Sequence, residues 1–349
     1  MGLVAMERGL EGIIAARRGP ELLLPPDEIF VRARARVEIE GWIRWEIVRP
    51  SGLIRASAGP YRNIITDAGF NTIGTGGSGN EMLSVTRYCG VGTSNTAPVA
   101  SDASLGSQTG NRTLNNGGFS DAAAIGPSNN FLSVTRTRVF TEGQVSGVNL
   151  AEVGFFRDAT GGPMWMRQLI KNDLGVPTPI TLEADEQLRI IYEWRMYPNQ
   201  TVASSTPTID GNVTNLDIRA HDIDNQEVWS TDFLGVDGMS TEFGTWDSPA
   251  GSSKAYEANT LPALTATQTG VGTFATSVTA DVYVSDSFER AVESVWDPGI
   301  ANFGTGVGSI TFWGFQRDGS QIATFDPKIN KDNTKRLRFK AQYEYTRRP

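Results

Sequence analysis

His221 is the only histidine of the chain and Cys89 its only cysteine. A serine or cysteine nucleophile needs a nearby base of near-neutral pKa to take its proton. The only such base lies in His221-Asp222-Ile223-Asp224, on an expected strand end. An isolated histidine is more often structural, so no catalytic residue is assigned. Zinc requires three or four His or Cys ligands and is excluded. Calcium takes oxygen ligands, and Asp217, Asp222, Asp224 and Glu227 stand close together in the chain. They lack the Asp-x-Asp-x-Asp-Gly spacing that wraps a loop around the ion. They read as a solvated acidic edge, and no metal site is assigned.

Gly74-Thr75-Gly76-Gly77-Ser78-Gly79 has the form G-x-G-x-x-G. That pattern cradles pyrophosphate only when it joins a strand to a helix. Here Met82–Tyr88 follows with strand character and no P-loop lysine, so the glycines read as loop and no cofactor is implied. An acidic belt with Trp229, Trp246 and Trp296 could form a sugar groove, but buried strand aromatics account for the same tryptophans. Arg32–Trp45 alternates basic and aromatic residues, yet Glu38, Glu40 and Glu46 cancel a nucleic-acid footprint.

These residues must be positioned by a chain of 349 residues, 39% of them apolar, with 38 glycines. Such a length suits two domains. The glycine, serine, threonine and asparagine content favours short strands and polar turns over long helices. No apolar run is long enough to span a membrane as a helix. The start, Met1–Met6, has neither signal-peptide nor myristoylation character. A lone cysteine excludes an intrachain disulfide and fits a reducing place of synthesis.

The net charge of −8 argues against general nucleic-acid binding. Its distribution is uneven. Residues 201–300 carry three basic against fifteen acidic residues, whereas 317–349 carry nine basic against four acidic. One reading is that the basic tail of one subunit meets the acidic belt of another; the other is two ordinarily solvated surfaces.

Periodicity supplies the elements. Leu3, Met6, Leu10, Ile13 and Ile14 form a helical stripe, ended by Gly19-Pro20. From Val31 to Ile43 apolar or small residues hold odd positions, while Arg32, Arg34, Arg36, Glu38 and Glu40 hold even ones. That alternation predicts a long strand whose charged face suits a neighbour of opposite polarity. Residues 63–73 read as a short helix or tight loop, and about 93–130 as a long polar connection. Further strands are predicted at 131–140, 149–156, 164–170, 187–197, 213–220, 278–284, 309–316 and 336–345. Val153-Gly154-Phe155-Phe156-Arg157-Asp158 is similar to Trp313-Gly314-Phe315-Gln316-Arg317-Asp318. Leu188–Trp194 is likewise similar to Leu337–Tyr345. This repeat implies two related sandwiches in tandem.

Four short patterns carry a resemblance. Asn63-Ile64-Ile65-Thr66-Asp67-Ala68-Gly69 is followed by Val91-Gly92-Thr93-Ser94-Asn95-Thr96-Ala97-Pro98 and by Asp102-Ala103-Ser104-Leu105. Glu152-Val153-Gly154-Phe155-Phe156 comes later, with a closing strand near 180–194. Over about 60–200 the chain resembles a β-domain of tailed-bacteriophage virion proteins, of the tail-fibre or tail-appendage type. The resemblance implies a virion component and carries no catalytic residues.

The expectation is therefore an all-β protein with two tandem antiparallel β-sandwich-like domains, over 29–200 and 201–349. A short N-terminal helix or assembly arm over 1–28 precedes them. Its function is expected to be non-enzymatic and structural, as a tail component acting by symmetric assembly. A head-surface decoration protein is one alternative, and a receptor-binding or polysaccharide-degrading tail tip is another. Expected partners are copies of itself and other virion proteins, with a host surface glycan under the tip reading. Neither nucleic-acid binding nor membrane insertion is expected. Its place is the virion, assembled in the host cytoplasm.

Overall fold

The computed structural model describes residues 28–75, 86–119, 122–126, 131–221, 253–312 and 321–349. The arm expected over 1–28 lies outside these residues, except that Glu28 begins the first strand. Among the described residues the protein is nearly all β, with one short helix.

The first half begins with β1 (Glu28–Val48) and β2 (Ile54–Ile65), then helix α1 (Asp67–Thr75). It continues with β3 (Tyr88–Gly92), β4 (Gln108–Thr113), β5 (Ala122–Gly126) and β6 (Phe131–Phe140). It closes with β7 (Glu152–Phe156), β8 (Met164–Leu169) and β9 (Gln187–Pro198). The connection expected over 93–130 thus contains two strands. Their Gly, Asn, Thr and Ala composition has no apolar alternation to reveal them.

The second half opens with the short β10 (Ala203–Ser205), β11 (Thr208–Ile209) and β12 (Asn212–Val213). Then come β13 (Asn215–Ala220), β14 (Ser253–Tyr256), β15 (Gly272–Phe274) and β16 (Ser277–Ala280). The last four are β17 (Glu289–Trp296), β18 (Val307–Phe312), β19 (Gln321–Ile329) and β20 (Arg336–Arg347).

Strand pairing repeats between the halves. One sheet of the first sandwich runs β2-β8-β7-β3-β4, and one sheet of the second runs β13-β19-β18-β14-β15, with β10 added at its edge. The other sheets run β5-β6-β9-β1 and β16-β17-β20-β1. Each strand from β2 to β9 therefore has a counterpart from β13 to β20. The repeat seen in the closing strands is a doubling of the whole topology. Residues 313–318, the second copy of the other repeated segment, lie outside the described residues.

The two sandwiches share β1. Its second half, Val37 to Val48, pairs antiparallel with β9, and its first half, Glu28 to Ile39, pairs parallel with β20 on the opposite edge. The odd residues Ile29, Val31, Ala33, Ala35, Val37, Ile39 and Ile43 are all buried. One apolar face therefore serves both cores, as period-two alternation requires. The division expected near residue 200 separates sequence but not sheet, because β1 joins the halves into one ladder. On the edge where β20 ends, β2 pairs with Gly41 to Val48.

Candidate functional site

Burial accounts for the two residues most able to act as nucleophile or base. Cys89 is fully buried on β3, and burial drives its thiol far above the usual range, only partly offset by Arg138. A thiol so placed is not a thiolate nucleophile. His221 is buried just after β13. Asp217 lies on β13 and accepts a hydrogen bond from Ser204 Oγ at 2.5 Å. Asp222, Asp224, Glu227, Trp229 and Trp246 lie outside the described residues, as do Gly76–Gly79; Gly74 and Thr75 end α1. Trp296 is buried, and its Nε1 donates to Thr273 O at 3.0 Å. Among the described residues no three of His, Cys, Asp and Glu stand where they could share a metal ion.

The patterns behind the family resemblance do converge. Thr66 sits immediately before α1, where its hydroxyl oxygen accepts from Gly69 N at 3.0 Å and the hydroxyl donates to Met164 O. This is a helix N-cap. A Cβ on Gly69 would stand 2.6 Å from Trp165 O, so only glycine lets the helix lie this close to β8.

The other patterns meet around Arg167, on β8. Its Nε donates to Glu152 at 2.7 Å, Nη1 to Asp102 at 2.9 Å and Nη2 to Thr96 O at 3.0 Å. Glu152, wholly buried, also accepts from Gly106 N at 3.0 Å and Ser107 N at 2.8 Å. Gly92 leaves room for that carboxylate, since a Cβ there would stand 2.5 Å from Glu152 Oε1. Leu105 packs on Phe156 and Met164, closing a small apolar cluster beneath the loop. Burial works against the charge of Arg167, but Asp102 and Glu152 outweigh it and raise its pKa. One guanidinium thus ties the loop over 93–107 to the sandwich, with every donor nitrogen engaged. The only sequence signal for Arg167 was a cation directly after the apolar run Met164-Trp165-Met166.

A second polar arrangement joins part of the basic tail to acidic residues of 201–300 within one chain, much of it where β20 lies beside β17. Arg338 grips Glu293 through Nε and Nη2 at 2.8 and 3.0 Å, Arg336 donates to Asp297 at 3.0 Å, and Lys340 meets Asp281 at 2.5 Å. Lys335 reaches Asp210 at 2.6 Å. On β1 the sign change is matched by neighbours too: Arg34 by Glu289 and Glu344, Glu40 by Arg62 at 2.9 Å.

No family model matches the chain, and no curated protein and no solved structure matches it.

Proposed function

We propose that the chain is a non-enzymatic structural component of a tailed-phage virion, in the tail, as a fibre-type appendage or the piece joining appendages to the tail. The observation that carries this reading is the Arg167 clamp. The residues behind the resemblance are spent on holding a surface loop: Glu152, Asp102 and Thr96 on one guanidinium, Gly92 and Gly69 on close backbone approach. Such a geometry stiffens a surface, and at the clamp Glu152 and Asp102 are both committed to Arg167. Rigid, doubled sandwiches suit docking to copies of the chain and to other virion proteins.

The test is immunogold labelling of particles of the virus that encodes the chain. Label on the tail is the expected result. Label on the head would favour the decoration reading, and unlabelled particles would defeat both. Purified protein incubated with host capsule or lipopolysaccharide should release no reducing ends. Release abolished by an Asp or Glu substitution would favour the polysaccharide-degrading tip.

A further inference from the structure

Along one edge of β1 the partner strand changes. β20 extends to Ile39, opposite Arg347, and β2 takes over at Gly41, opposite Asn63. Glu40 is the residue between them. A cleft of about 520 Å³ opens at this seam between the sandwiches. That volume lies within the range of small-ligand sites, which favour such junctions. Its wall carries Arg62, Lys171, Arg347 and Arg348 against a single carboxylate, Glu40. Just outside the wall Asp67 pairs with Arg347 and Glu38 stands 3.9 Å from Arg348, so of the four cations the one left unmatched is Lys171.

The arginines are held in place. Arg62 donates to Glu40 and to Arg348 O, both at 2.9 Å, and Arg347 donates through Nε to Ile65 O at 2.6 Å. Arg348 stacks on Tyr197, 3.6 Å from the ring centroid. These contacts use only part of the five donors each guanidinium carries. Glu40 is shared already, since it also accepts from Tyr197 and faces Arg195 at 3.8 Å. Lys171 has no carboxylate within ion-pairing distance among the described residues, and its ammonium lies 5.8 Å from the Tyr61 ring centroid. A cleft that leaves a positive charge unmatched attracts a counter-ion.

We propose that the seam cleft binds a compact oxyanion, a carboxylate or a phosphate, with Lys171 supplying the charge that the protein does not match. Arg347 and Arg348 come from the end of β20 and the residue after it, in the second sandwich, and Arg62 and Lys171 from the first, so neither half alone builds the site. The inference stands on the cleft, whatever assembly the chain joins. Two sources share this chemistry: the carboxylate of an acidic sugar, and a phosphate group.

Calorimetric titration of the full chain at fixed ionic strength, with glucuronate, inorganic phosphate and glucose as probes, tests it. Saturable one-site binding of at least one anion is expected, with none for glucose. Tighter glucuronate assigns the site to acidic sugars, and tighter phosphate to phosphate groups. Lys171→Gln should weaken the anion about tenfold, the worth of one charge-assisted hydrogen bond, and Lys171→Glu should abolish binding. Lys328→Gln, outside the cleft, should leave it unchanged. Melting of the unliganded Lys171 variants should match the parent, because it is the Lys171 carbonyl that accepts from Trp45 Nε1 at 2.9 Å and from the Tyr61 hydroxyl at 2.5 Å. Absence of saturable anion binding, or parental affinity in both Lys171 variants, overturns the proposal.

Discussion

Leu188 and Leu337 are mates: Leu188 lies opposite Ile47 and Leu337 opposite Ile29, each nine residues along β1 from Glu38. The relation holds along both strands. Met196 faces Ile39 and Tyr345 faces Val37, one residue to either side of Glu38. Since β9 runs antiparallel to β1 and β20 parallel, on opposite edges, an approximate two-fold axis passes through β1 at Glu38, normal to the sheet. The same axis pairs Phe140, opposite Leu188, with Trp296, opposite Leu337. It is broken where β2 pairs with the second half of β1: among the described residues nothing pairs with residues 28–36 on the corresponding edge.

Phe140 and Trp296 should therefore respond alike to truncation. Both are fully buried, and replacing either by alanine should cost about 3–5 kcal/mol. Urea unfolding monitored by far-ultraviolet circular dichroism measures this. A loss below about 1 kcal/mol at either position would contradict the equivalence.

Removing Arg167 should be more damaging than removing its partner's charge. Arg167→Ala leaves Glu152 buried without its counter-ion, a loss of about 3–5 kcal/mol. Glu152→Gln keeps an oxygen for one of the Gly106 and Ser107 amides and leaves Asp102 beside Arg167, so it should cost less. In both variants amide exchange should quicken first over 93–107, the segment that the clamp holds.

The sequence carried the strands whose two faces differ in polarity. Odd and even positions of β1 and of β9 are distinct in type, so their inward faces were readable, although β1 runs from Glu28 to Val48, past both ends of the 31–43 alternation. β17 was not, because Glu289-Arg290-Ala291-Val292-Glu293-Ser294 places polar Ser294 on the buried side, bonded to Ser253 Oγ at 2.7 Å. β19 was missed as well, its pattern broken by Asp326-Pro327. The sharing of β1 has no local signal, since a strand does not record which edge each half offers. The site was half legible: Asp102 and Glu152 stood inside recognisable patterns, but Arg167, fifteen residues beyond Glu152, joins them only through the β7–β8 pairing.

The match of basic tail to acidic belt predicts compensation. Arg338→Glu and Glu293→Arg should each lower the melting temperature through like-charge contact across β17 and β20. The double swap should recover most of the loss. Exposed pairs contribute about 0.2–1 kcal/mol and bidentate ones stand at the upper end. Independent, additive effects in the cycle would show that the pair contributes nothing.

Stability should fall on the acid side. The Arg55 hydrogen bond is the chief cause lowering the pKa of Glu186. At Glu40 burial raises the pKa, but Tyr197, Trp42, Arg62 and Arg348 together outweigh it and lower it. A carboxylate with a folded pKa below its unfolded value, about 4.3 for Glu, stabilises fully above that value. It loses this contribution as pH falls through the folded pKa. Melting temperature should be level from about pH 5 to 7 and drop below about pH 4. Glu186→Gln should make the acid limb shallower, and an unchanged limb would remove Glu186 from this account.

The sharpest prediction concerns the strand that the sandwiches share. Twelve residues of β20 pair with the first half of β1, and the facing side chains Ile29, Val31, Ala33 and Ala35 are buried with Leu337, Phe339, Ala341 and Tyr343. A fragment of residues 199–349 would keep β20 but lose that neighbour, exposing both a ladder edge and an apolar face. It should lack a cooperative thermal transition. Adding a peptide of residues 28–40 should restore one, by supplying the missing parallel strand. Replacing Val31 by aspartate in that peptide should abolish the rescue, because the charge would enter the core unpaired. Cleavage of the intact protein between 198 and 212 should, for the same reason, leave the halves together on size exclusion under native conditions and separate them only in denaturant. A fragment of 199–349 that melts cooperatively by itself would show the second sandwich to be complete without β1, and the shared-strand account would fail.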